Sequence, residues 1–271
     1  MDCLEWLRAQ SSNEPVPISK DIQITRAWFA AVDGRPTFAK AYPKELVGTW
    51  AKIEAAISAA DLHPAIVPLR RKIDCDDGVL LLYDRVEGEN LGSQPVRKRF
   101  AALPVEERIQ AVLTATEAVA AVHEAGFVVV DWYEGNMIYN FSTRRLWLFD
   151  WELCREGASF RLEMAANYGS SRLMAPEEFV RGSVLDGRTV VFNLGRYTLM
   201  NLPDLAEPLS IVLARATHPS RMARYESPQQ YGQALREGLM NLGLIAAEGF
   251  PRPAARPESS GAPPPGGRPL G

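Results

Sequence analysis

An α+β fold of two lobes, a small sheet-rich one followed by a larger helical one, is what three features of this 271-residue chain predict. Short apolar runs bounded by turn residues crowd the first third. A polar connector with two glycines, RVEGENLG at 85–92, follows them, and segments of helical period dominate the remainder. The first lobe is therefore expected over 1–84, as strands plus one helix. The hinge is expected over 85–92, the helical lobe over 93–250 and a disordered tail over 251–271.

Taken in order, residues 22–42 (IQITRAWFAAVDGRPTFAKAY) read as strands around an Asp33-Gly34 turn, a dipeptide suited to the positive φ angles of tight hairpins, with Lys40 near the end. A helical stretch is expected at 44–60, then strands near 66–74 and 78–84, the second carrying VLLLYD. Pro104 opens a helix, a place that tolerates a missing N–H, and Ile109, Val112, Leu113, Val119 and Val122 keep roughly its 3.6-residue period.

Two apolar runs, VVV at 128–130 and LWLF at 146–149, each end directly on a carboxylate, Asp131 and Asp150, with Asn136 between them. Each run reads as a short buried strand. Where a sheet edge opens to solvent, a carboxylate can hold a metal or act as a base; alternatively it begins a turn or caps a helix.

Composition is that of a soluble globular protein, 46% hydrophobic and 23% charged with a net charge of −3. That balance gives no nucleic-acid surface. No apolar stretch approaches the ~18 residues of a membrane span, and MDCLEWLRAQ lacks a signal peptide's basic region, so the cytosol is the expected compartment and no membrane partner is expected. Cys3, Cys75 and Cys154, and His63, His123 and His218, fall at no metal-ligand spacing and read as structural residues. The last 21 residues hold seven prolines and four glycines, too little to fill a core. No internal repeat is present.

The spacing from Asp131 to Asn136, followed by Asp150, resembles the catalytic loop and metal motif of the protein-kinase-like superfamily, and the likeness runs from about residue 25 to 235. It implies ATP and magnesium as cofactors. Asp131 would orient an acceptor hydroxyl and take up its proton, while Asn136 and Asp150 would hold the metal. Lys40, in TFAK, resembles the lysine that holds the α and β phosphates, and Glu54 the helix glutamate that pairs with it. Tyr83 falls in the gatekeeper place, and Asp84 to Val86 would lend backbone groups to the adenine. MAPEEF at 174–179 resembles the Ala-Pro-Glu that closes an activation segment, with Glu177 expected to pair with a buried Arg224. Residues 154–173 read either as a surface loop or, on the kinase reading, as a shelf beside Asp131, with the Ser170 hydroxyl bonded to that carboxylate.

The sequence also departs from the family. Val129 and Val130 replace the His-Arg of the catalytic loop, Tyr133 stands where a lysine steadies the γ-phosphate, and Val190 replaces an aspartate of the anchoring helix. Trp151-Glu152 replaces Phe-Gly. DIQITRAWFAA contains no glycine where a Gly-rich loop would lie. The resemblance thus leaves three readings: an atypical bacterial-type Ser/Thr kinase acting on a protein substrate, a small-molecule phosphotransferase of the aminoglycoside and choline kinase type, and a kinase-shaped binding module without activity. The platform sequence GSSRLMAPEE favours the first over the second. The retained Lys40, Glu54, Asp131, Asn136 and Asp150 favour activity.

Overall fold

The structure, a computed structural model, describes residues 1–18, 24–165 and 167–246. The expected tail, residues 247–250 of the helical lobe and the start of DIQITRAWFAA lie outside the described residues.

The first lobe opens with a helix that sequence patterning did not predict, α1 (Cys3–Gln10). Its Asp2 side chain accepts from the Glu5 N–H while Glu5 reaches back to the cap. This capping box was present in the sequence as Asp2 and Glu5. Strands β1 (Val16–Pro17), β2 (Arg26–Val32) and β3 (Arg35–Pro43) follow. As expected, Asp33 and Gly34 turn β2 into β3, both at positive φ. The helical stretch is continuous from α2 (Lys44–Leu46) through a π-helical turn, Val47–Ala51, into α3 (Lys52–Ala59). Strands β4 (Leu69–Cys75) and β5 (Gly78–Asp84) complete a five-stranded sheet in the order β1-β2-β3-β5-β4.

Every residue of β5 except Asp84 is buried, because the sheet is covered on both faces. Leu80 and Leu82 join Cys3 and Leu7 of α1, whereas Leu81 and Tyr83 pack with Tyr42, Ala51 and Val67 on the cleft side. The fold also gathers Cys3, Cys75 and Asp77, whose donor atoms lie within 4.8 Å of one another on the α1 side. Sequence spacing did not foresee this, because pairing of α1 with the β4–β5 turn sets it.

β6 (Glu89–Asn90) ends the connector and leads to α4 (Gln94–Ala101) and α5 (Val105–Glu124), whose inner residues lie in the largest core cluster. Next come β7 (Phe127–Val128), the 3-10 turn Glu134–Asn136, β8 (Met137–Asn140) and β9 (Arg145–Leu148). After β10 (Arg155–Glu156), β11 (Ser159–Arg161) and β12 (Val184–Asp186), the chain forms α6 (Gly187–Asn201), α7 (Ser210–Ala216) and α8 (Pro228–Asn241). The loop after α3 joins the lobes by main-chain bonds: Leu148 N–H donates to Ala65 at 2.8 Å and Val67 N–H to Leu148 at 2.9 Å. No helix among the described residues is long and apolar enough to cross a membrane.

Candidate functional site

A cleft of about 690 Å³ lies between the lobes. Phe29, Phe38 and Lys40 line it from the sheet, Tyr83, Asp84 and Val86 from the connector side, and Asn136, Ile138, Phe149 and Asp150 from the helical lobe.

Both carboxylates that end the apolar runs sit at positive φ, Asp131 at 59° and Asp150 at 71°. Aspartate tolerates this conformation better than most residues, at a cost on the order of 1–3 kcal/mol. Such strain persists only where packing enforces it, here Val128–Val130 and Leu148 in the core. The two loops are tied together: Asn136 Nδ2 donates to the Asp131 carbonyl at 3.0 Å, and the Phe149 N–H donates to the Asn136 carbonyl at 3.1 Å. Burial, reinforced by the Asp150 charge, lifts the Asp131 carboxyl to about 6.

Lys40 does not pair with Glu54. Its ammonium lies 2.5 Å from both Asp150 Oδ1 and Glu152 Oε2, above the Tyr42 ring. Burial alone would lower the lysine pKa, but the facing Asp150, Glu152 and Glu54 carboxylates together hold it above the ordinary value. Glu54, 3% exposed, instead accepts from the Tyr83 hydroxyl at 3.0 Å, the Ser58 hydroxyl at 3.3 Å and the Trp151 N–H at 2.5 Å. Burial lifts its carboxyl to about 7 against the pull of Lys40. The expected partner was displaced because Glu152, two positions after Asp150, supplies a second carboxylate to the lysine. That role was missed; the signal was an acidic residue two positions after Asp150.

The expected pair at the end of the segment is formed. Arg224, 1% exposed, grips Glu177 through two bonds of 2.6 and 3.0 Å. Thr189 adds a third bond to the same carboxylate at 2.9 Å. The neighbouring Glu178, also overlooked, is buried and accepts from Asn193, Asn167 and the Ala175 N–H.

Ser170 is not bonded to Asp131. Its hydroxyl accepts from Arg172 Nε at 3.3 Å, and the residue lying against the carboxylate is Gly169, at φ 134°, where an added methyl would stand 3.6 Å from the Asp131 Cα. Arg172 reaches on to Glu134 Oε2 at 3.0 Å, and this contact draws the serine away. Tyr133 lies so tightly over Gly135 that a methyl there would come within 2.2 Å of the ring.

Asp150 and the Asn136 amide oxygen are two hard oxygen donors on the helical-lobe side of this cleft. Asn136 spends its NH₂ on the Asp131 carbonyl, which leaves its oxygen for a cation, so the donor set fits magnesium.

The chain matches no protein-family model and no curated protein sequence. Among solved structures it matches the crystal structure of the Mycobacterium tuberculosis PknI kinase domain, with a TM-score of 0.59, 20% identity, and coverage of 82% of this chain and 94% of that chain. The fold is that of a protein kinase domain. In kinase terms the five-stranded sheet with α3 corresponds to the N-lobe and α4 to α8 to the C-lobe.

Proposed function

We propose that the chain is an ATP- and magnesium-dependent phosphotransferase that modifies Ser or Thr hydroxyls of a protein substrate. The observation that carries this reading is that Lys40, from the sheet, meets Asp150 and Asn136, from the helical lobe, across the cleft, with Asp131 tied to Asn136 behind them. Magnesium held by Asp150 and Asn136 would spread the charge of the phosphates. Lys40 exchanges its carboxylate partners for phosphate oxygens. Asp131, fixed through its own carbonyl by Asn136, orients the acceptor hydroxyl and takes up its proton. The Glu177–Arg224 clamp and the buried Glu178–Asn193 contact hold the segment before them as a platform for a polypeptide, which favours a protein acceptor over a small one.

A kinase-shaped binding module is the second reading, and one observation favours it: two carboxylates already pair with Lys40, the only lysine lining the cleft among the described residues. The deciding experiment incubates purified protein with magnesium and γ-labelled ATP, alone, with generic protein substrates and with small alcohols or amino-sugars, beside Asp131→Ala. Label on protein that vanishes in the variant supports the proposal. Label confined to small acceptors, or no label, rejects it.

A further inference from the structure

We infer that the rim beside Asp131 is a binding site for an acidic peptide segment, so that carboxylates flanking the acceptor hydroxyl select the substrate; this deepens the phosphotransfer reading and rests on it for the location of the acceptor. Three guanidinium groups from three different elements are tied to the 134–136 turn, one directly and two through a neighbouring residue. Arg172, in the segment before Met174, is 47% exposed at its side chain and bonds Glu134. Arg196, on α6, is half-buried and donates through Nε to the Arg172 carbonyl at 3.2 Å. Arg97, on α4, donates to the carbonyls of Leu91 and Gly92, and Gly92 is packed directly on Gly135.

The charge around the turn is unbalanced. Among the described residues, Arg97 and Arg196 have carbonyl partners but no ion pair within 4.0 Å. Of the carboxylates in the 131–136 loop, Asp131 is reserved for the acceptor, and the Glu134 side chain, 4% exposed and already held by Arg172, has little surface to offer an incoming cation. A lysine-rich segment docking here would meet three guanidinium groups and almost no accessible anion, whereas glutamates or aspartates would find planar forks able to bind them in bidentate fashion. The chain's overall charge of −3 gives no such preference by itself, so selection would come from this local reversal of sign.

The test measures binding first, independent of catalysis. Fluorescence anisotropy compares a labelled serine-centred peptide flanked by glutamates with the same peptide flanked by lysines, on the full chain at low and high salt. The expected result is at least about tenfold tighter binding of the glutamate peptide, shrinking as salt screens the charges. Arg196→Gln and Arg97→Gln should each erode the preference, and Arg196→Lys, which keeps the charge, should restore much of it. Equal binding, no binding of either peptide, or tighter binding of the lysine peptide overturns the inference, as does a preference untouched by both glutamine variants. A parallel transfer assay with γ-labelled ATP separates the two claims. Preferential binding without transfer supports the acidic site and rejects the catalytic reading, and equal transfer to both peptides does the reverse.

Discussion

Glu54 and Trp151, 97 residues apart in sequence, are joined by a 2.5 Å hydrogen bond from the Trp151 backbone N–H to the Glu54 carboxyl. This bond couples α3 to the loop that carries Asp150, and the Tyr83 hydroxyl holds the other oxygen of the same group. Because burial raises the Glu54 carboxyl from 4.5 to about 7, the folded state favours its protonated form. Its contribution to stability is therefore full below the unfolded value and is lost as pH rises to about 7. Glu54→Gln should remove that part of the pH dependence, since the Tyr83 hydroxyl can reverse to accept from the new NH₂. Urea unfolding of both proteins between pH 5 and 8 checks it, and an unchanged slope contradicts it.

On the proposed function, Lys40 must leave its carboxylates before it can hold a phosphate. Glu152→Gln, which weakens one of the two competitors, should tighten ATP binding by about tenfold. Lys40→Ala should weaken it. Asp150→Asn should abolish its dependence on magnesium while leaving the fold intact. Calorimetry with and without the metal reads all three.

If Asp131 accepts the hydroxyl proton, it must be ionised. Its carboxyl, lifted to about 6, predicts a transfer rate that rises with pH up to that value and levels off above it. A kcat profile for peptide phosphorylation that is flat through this range would remove Asp131 from the role.

Ser170→Ala should leave transfer nearly unchanged, since among the described residues the hydroxyl is hydrogen-bonded to Arg172 and not to Asp131. Gly169→Ala should depress it strongly, because a side chain at φ 134° strains the backbone lying against Asp131. Steady-state kinetics of the two variants on one peptide substrate distinguishes the positions.

Arg224→Ala strands a largely buried Glu177, and removal of one partner from such a pair costs roughly 3–5 kcal/mol. Arg224→Lys should recover little of the loss, because an ammonium cannot reproduce the two-pronged contact. Denaturant midpoints test both.

Much of the fold was legible locally. The Asp33-Gly34 hairpin, the VLLLYD strand and the helix opened by Pro104 each carry their cause within a few residues, and so does the Asp131 to Asn136 spacing. Glu177–Arg224 was legible only through the resemblance of MAPEEF to the Ala-Pro-Glu that closes an activation segment. What escaped depends on distant competition. Lys40 chooses among three carboxylates, and nothing within TFAK ranks them; the choice follows from Glu152 reaching across the cleft and from Tyr83 and Trp151 claiming Glu54. Ser170 was misplaced for the same reason, since Arg172 had a partner in Glu134 that the spacing does not reveal.

The wide turn at Val47–Ala51 fixes the phase of the helix that carries Glu54. A π turn accommodates one residue more than an α turn, and each added residue rotates the downstream helix by about 100° relative to an uninterrupted one. Glu54 points at Trp151 and Tyr83 only because that offset precedes it. Deleting one residue from the turn would keep the helix and the whole composition of the lobe, yet would swing the carboxylate out of the cleft and bring a neighbouring side chain in. Insertions and deletions in this short stretch thus act as a rotational setting for the site, and substitutions there that preserve length should be tolerated far better than any change in residue count.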